Sequence, residues 1–103
     1  MGKLVYSSAE FELEIEDRPL AHLQVVIGAK LRRNESFYFH WTTSDPTPRR
    51  NTLWLNASIA LRYHYAENAR PELNRAWLEA LTVSANSGAG LSMIPEKLEG
   101  EAG

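Results

Sequence analysis

His22, His40 and His64 are the side chains best suited to hold a metal or move a proton in this 103-residue chain, which contains no cysteine. A zinc site needs three or four ligands converging, with carboxylates or further imidazoles completing the set. His40 and His64 alternate along strand-like segments and share no face with a carboxylate, so they read as ordinary sheet histidines. Nucleophilic chemistry has as little support, since no Gly-x-Ser-x-Gly elbow occurs and the serines lie chiefly in turn segments. Neither Gly-x-Gly-x-x-Gly nor Gly-x-x-x-x-Gly-Lys is present, and Ser87-Gly88-Ala89-Gly90 reads as a helix cap and turn. Glu12, Glu14 and Glu16 alternate with Phe11, Leu13 and Ile15, which makes them the solvated face of a strand and protects its edge. No catalytic residue, cofactor or metal is expected.

A set of rings and guanidinium groups stands out instead. If Phe37, Phe39, Trp41, Leu53, Leu55, Ile59, Leu61 and Tyr63 face a core, strand alternation sends Tyr38, His40, Trp54, Arg62 and His64 to the opposite face. Arg49 and Arg50 follow in the loop Ser44-Asp-Pro-Thr-Pro-Arg-Arg-Asn51. Between Lys30 and Arg75 there are eight basic residues (Lys30, Arg32, Arg33, Arg49, Arg50, Arg62, Arg70, Arg75) and four acidic ones (Glu35, Asp45, Glu67, Glu72). Aromatic groups beside arginine suit a protein interface. They also suit single-stranded nucleic acid, whose bases offer π-faces and whose phosphates offer charge. The primary expectation is a non-catalytic module that binds a protein partner or a second copy of itself; nucleic acid is the alternative.

The elements that must position this set follow from periodicity. Leu4-Val5-Tyr6 and Phe11 to Ile15 form two strands joined by a turn at Ser7 to Glu10. Asp17 as N-cap with Pro19 in the first turn starts a helix whose stripe is Leu20, Leu23, Ile27 and Leu31. Lys30, Arg32 and Arg33 suit the dipole at its end, and Gly28 suggests a close crossing against the sheet. Strands follow at Ser36 to Thr43, around Leu53 and Leu55, and from Ile59 to Tyr65, with a kink near Ala57-Ser58. Pro71 and Glu72 open a second helix with Leu73, Trp77 and Leu81 on one face, and Leu91 to Ile94 makes a short edge strand.

The order ββ-α-βββ-α-β implies an α+β, two-layer sandwich in which one mostly antiparallel sheet carries both helices on one face. Residues 1–95 form a single domain, and 96–103 a polar, flexible tail. Hydrophobic residues at 44% suffice for one core, and a net charge of −2 argues against a general polyanion binder. Met1-Gly2-Lys3-Leu4 lacks the apolar run of an export signal and no 18 apolar residues are consecutive, so the expected location is the cytoplasm, away from membranes.

Three blocks carry a resemblance: Asp17-Arg-Pro-Leu-Ala-His-Leu23, Ile27-Gly-Ala-Lys-Leu-Arg-Arg-Asn-Glu-Ser-Phe37 and Pro71-Glu-Leu-Asn-Arg-Ala-Trp-Leu-Glu-Ala-Leu81. Together they resemble a family of small actinobacterial proteins often labelled ATP-dependent DNA ligase, over nearly the whole chain to Pro95. Ala57 and Ala60 stand where that family has prolines, a difference confined to one turn. The resemblance brings no catalytic residue with it. A ligase of that class needs a lysine nucleophile in a Lys-x-Asp-Gly setting beside ATP and metal. The lysines here read Lys3-Leu-Val-Tyr, Lys30-Leu-Arg-Arg and Lys97-Leu-Glu-Gly, and the one near match falls in the acidic tail. An enzyme is therefore the reading with least support.

Overall fold

Strand-period and helix-period segments alternate along the chain as β1 (Gly2–Tyr6), β2 (Phe11–Ile15), α1 (Asp17–Arg32), β3 (Phe37–Thr43), β4 (Arg49–Leu55), β5 (Leu61–His64), α2 (Arg75–Ala85) and β6 (Leu91–Ser92). This is the order and the α+β class that the sequence implies. The structure is a computed structural model that describes residues 1–7, 11–44 and 46–96. Ser8, Ala9 and Glu10 of the first expected turn, Asp45 of the proline loop, and residues 97–103 with Lys97 lie outside the described residues.

The strands form two three-stranded sheets, β2-β1-β5 and β4-β3-β6, where the pattern suggested one. β1 pairs antiparallel with both neighbours, setting Leu4 between Leu13 and Tyr63. β3 pairs antiparallel with β4 from Phe37↔Leu55 to Thr43↔Arg49, and parallel with β6 at Phe39↔Leu91 and His40↔Ser92. The split begins at Asn56, where a full turn replaces the expected kink. The Asn56 side-chain oxygen accepts from the Ser58 N–H (2.8 Å) and its carbonyl from the Ile59 N–H (3.2 Å). The chain leaves β4 there and β5 takes β1 as its neighbour. Alternation dictates which face a side chain takes and says nothing about which strand lies alongside.

One core joins both sheets and both helices. Leu4, Leu20, Leu23, Ile27, Phe39, Leu55, Leu81 and Leu91 are fully inaccessible, with Val26, Phe37, Trp41, Trp77 and Ala85 around them. The helices thus cover the Phe37, Phe39, Trp41 side of β3, while Tyr38 on its other side and Trp54 beside it on β4 stay exposed.

Four local expectations are corrected. Glu16, not Asp17, is the N-cap of α1 and makes no side-chain cap bond. The Asp17 carboxylate instead accepts the backbone N–H groups of Ala66 (2.9 Å) and Glu67 (3.0 Å), tying down the segment after β5. α2 begins at Arg75 because Asn74 caps it, its side-chain oxygen accepting from the Trp77 N–H at 3.2 Å, so Leu73 precedes the helix and stays exposed. Gly28 makes no close crossing, since a Cβ there would meet nothing within 4 Å. Glu96 is held rather than frayed: it accepts from Arg18 Nε (2.8 Å) and Nη2 (2.6 Å) and from Asn74 Nδ2 (2.9 Å). Lys30 is largely buried, its Nζ 3.1 Å from Asn86 Oδ1, 3.2 Å from Glu35 and 5.3 Å from the Phe37 ring, which links the ends of the two helices. Among the described residues no helix is long and apolar enough to cross a membrane.

Candidate interaction surface

On the outer face of the β4-β3-β6 sheet the register sets Tyr38 opposite Trp54, His40 opposite Thr52 and Thr42 opposite Arg50. Tyr38 and Trp54 are 48% and 46% exposed, although rings of this size are usually well covered in a small domain. Their centroids lie 5.0 Å apart at 66°, the edge-to-face arrangement that a ring quadrupole favours. The His40 ring follows at 5.9 Å from Tyr38.

His40 is fixed in place by two bonds. Its Nε2 lies 2.6 Å from the Ala89 carbonyl, which can only accept, so Nε2 carries the hydrogen. Nδ1 then accepts from the Thr52 hydroxyl at 2.9 Å. The turn that supplies Ala89 presses close to β3. Gly90 has φ +98°, and a Cβ there would approach the Tyr38 carbonyl oxygen to 2.6 Å. His40 is therefore a tether between β3, β4 and this turn.

Arg49 and Arg50 open β4 rather than lying in the loop, paired with Thr43 and Thr42. Both are exposed, and among the described residues no carboxylate lies within ion-pair distance of either. Arg62 and His64 point outward as alternation requires, but from the other sheet. They sit on β5 opposite Val5 and Lys3, with Glu12 and Glu14 one strand further on. Arg62 Nη2 is 3.3 Å from His64 Nδ1. The expected surface is thus divided: the rings share a sheet with Arg49 and Arg50, while Arg62 and His64 share one with the acidic strand. His22 is fully buried, its Nδ1–H donating to the Arg18 carbonyl (2.8 Å) and its Nε2 accepting from the Asn74 N–H (2.9 Å). Among the described residues no three His, Asp or Glu side chains converge on a common point.

The family model for a domain of unknown function, DUF7882, matches residues 1–96. The chain belongs to that family. No curated protein and no solved structure matches it.

Two concave regions of this DUF7882 domain were not legible beforehand. One lies between α1 and the segment after β5, walled by Val25, Gly28, Tyr63, Tyr65, Arg70 and Leu73. There the Tyr65 hydroxyl donates to Gln24 (2.6 Å), and burial, with Tyr65 close by, pushes the Tyr63 phenol up to about 12. The other is a groove between β2 and the C-terminal half of β3, with Phe11, Leu13, Trp41 and Met93 among its lining. Trp41 counts as core in the sequence pattern, and it is 8% exposed, stacked on Phe39 (5.3 Å) and 5.6 Å from Phe11. Its buried Nε1–H has no acceptor among the described residues. Nothing in a run of alternating residues signals such a groove, because it forms between strands distant in sequence.

Proposed function

We propose that this domain is a non-catalytic interaction module that presents the outer face of the β4-β3-β6 sheet to a protein partner. The observation that carries this reading is the exposed cross-strand pair Tyr38–Trp54 beside Arg49 and Arg50, which have no ion-pair partner among the described residues. Rigid rings lose little side-chain entropy on binding and bury large areas, which is why Trp, Tyr and Arg dominate interface energetics. The register and the His40 tether keep the rings in one arrangement before a partner arrives, lowering the ordering cost of association. Trp54→Ala should weaken partner capture by about tenfold or more while leaving the fold intact. A partner retained equally by Trp54→Ala and Tyr38→Ala would remove the reading. A second copy is one such partner, and sedimentation at increasing concentration tests for it.

Single-stranded nucleic acid is the second reading, favoured by the same two arginines lying on the sheet that bears the rings. It requires binding that falls steeply with salt and weakens in Arg50→Ala. No mobility shift at low salt would dismiss it. Arg62, on the other sheet, drops out of this second reading.

A further inference from the structure

Among the described residues, the groove between β2 and β3 has unpaired backbone on both of its long sides. Antiparallel pairing alternates between residues that exchange hydrogen bonds with a neighbour and residues whose backbone groups turn away. The Ser7 N–H donates to the Ala60 carbonyl at 2.8 Å, so Ser7, Val5 and Lys3 bond toward β5. Gly2, Leu4 and Tyr6 therefore bond toward β2, through Ile15, Leu13 and Phe11. The backbone N–H and C=O groups of Glu12 and Glu14 consequently face outward on the edge away from β1, where no described residue takes them. On the opposite side, Met93 N–H donates to the His40 carbonyl at 3.1 Å, so His40 and Thr42 turn away from β4. β6 covers β3 only at Phe39 and His40, and no described residue takes the backbone groups of Thr42.

We infer that this groove receives an extended peptide strand from another protein, bonded to Glu12 and Glu14 on one side and to Thr42 on the other. The strand alternates apolar with basic residues. Its apolar side chains meet Phe11, Leu13, Trp41 and Met93, which line the groove. Its lysines or arginines lie beside Glu12 and Glu14 on the β2 wall, across the groove from Arg49 and Arg50, which line it from β4. Among the described residues Glu14 has no ion-pair partner and Glu12 has only Lys3, at 3.1 Å. Strand addition of this kind draws affinity from main-chain bonds and specificity from alternate side chains. A second copy pairing β2 with β2 would set these glutamates against each other, which is unfavourable. The groove shares His40, Thr52, Arg49 and Arg50 with the ring-bearing face, but neither Tyr38 nor Trp54 lines it, so Trp54→Ala should leave peptide binding unchanged and the two readings can fail independently.

The test uses the full chain and an end-blocked synthetic peptide of about eight residues alternating valine and lysine. Amide exchange followed by NMR should slow at Glu12, Glu14 and Thr42 when peptide is added, while Phe11 and Leu13, already bonded to β1, change little. Glu14→Pro deletes an outward N–H at an edge, where proline is tolerated, and should weaken peptide binding about tenfold with the β1–β2 ladder kept. A peptide N-methylated at alternate amides should not bind. Unchanged exchange at the three amides under millimolar peptide overturns the inference, as does equal affinity for Glu14→Pro. Protection of those amides by dimerisation without peptide overturns it too, since the occupant would then be a second copy. If Glu14→Pro does not fold, the wild-type exchange pattern alone decides.

Discussion

Two glycines should respond in opposite directions to the same substitution. Gly28 lies in α1 with open space where a Cβ would stand, so Gly28→Ala should stabilise the fold by about 0.5–1 kcal/mol, chiefly by restricting the unfolded chain. Gly90 has positive φ and no room above the Tyr38 carbonyl, so Gly90→Ala should destabilise by about 1–3 kcal/mol and loosen the His40 tether. Urea unfolding midpoints of the two variants, compared with the parent, check both. The sequence marks both residues as glycine and gives no hint of the difference. What separates them is the identity of the neighbouring backbone, which is a contact between distant segments.

At the scale of elements, Asn74 joins three parts of the molecule. It caps α2, its N–H reaches His22 on α1, and its Nδ2 reaches Glu96. Loss of the cap alone is worth about 1 kcal/mol, and a buried junction should raise the figure, so Asn74→Ala should cost about 1–2 kcal/mol in thermal unfolding. The amphipathic stripes of both helices were legible because a 3.6-residue period survives in any context. The start of α2 was not, since Pro71 looks like a first-turn residue until Asn74 is seen holding the Trp77 N–H. For the sheets, facing was legible and partnership was not: Arg62 and His64 do point outward, yet from a different sheet than Trp54.

For the molecule as a whole, pH dependence reports on two groups. Hydrogen bonds from Arg18, then Asn74, hold the Glu96 carboxyl down at about 2, below its usual value near 4.5. A carboxylate with a depressed folded value stabilises the fold fully above the unfolded value and loses that contribution as pH falls through the folded one. Melting temperature should therefore drop from about pH 5 toward pH 2 more steeply in the parent than in Glu96→Gln. At the alkaline end, Tyr63 is raised to about 12, so its neutral phenol supports the fold below about pH 10 and that support is lost as pH climbs toward 12. Tyr63→Phe should flatten this limb, and absorbance titration of the phenolate should lose its latest-titrating component.

The chain alone determined what local periodicity and residue type can determine: the order of elements, the α+β class, the core faces of β2, β3 and α1, the inward Trp77 and Leu81 of α2, and the outward exposure of Tyr38 and Trp54. These depend on spacings of two to four residues, which local geometry imposes wherever the segment ends up. Tertiary structure decided the rest. Which strands pair, that the sheet divides at Asn56, that Glu96 is held by Arg18, and that β2 and β3 leave a groove between them all rest on contacts tens of residues apart. Such contacts are settled by the simultaneous fit of every buried surface, a property that no single window of sequence contains.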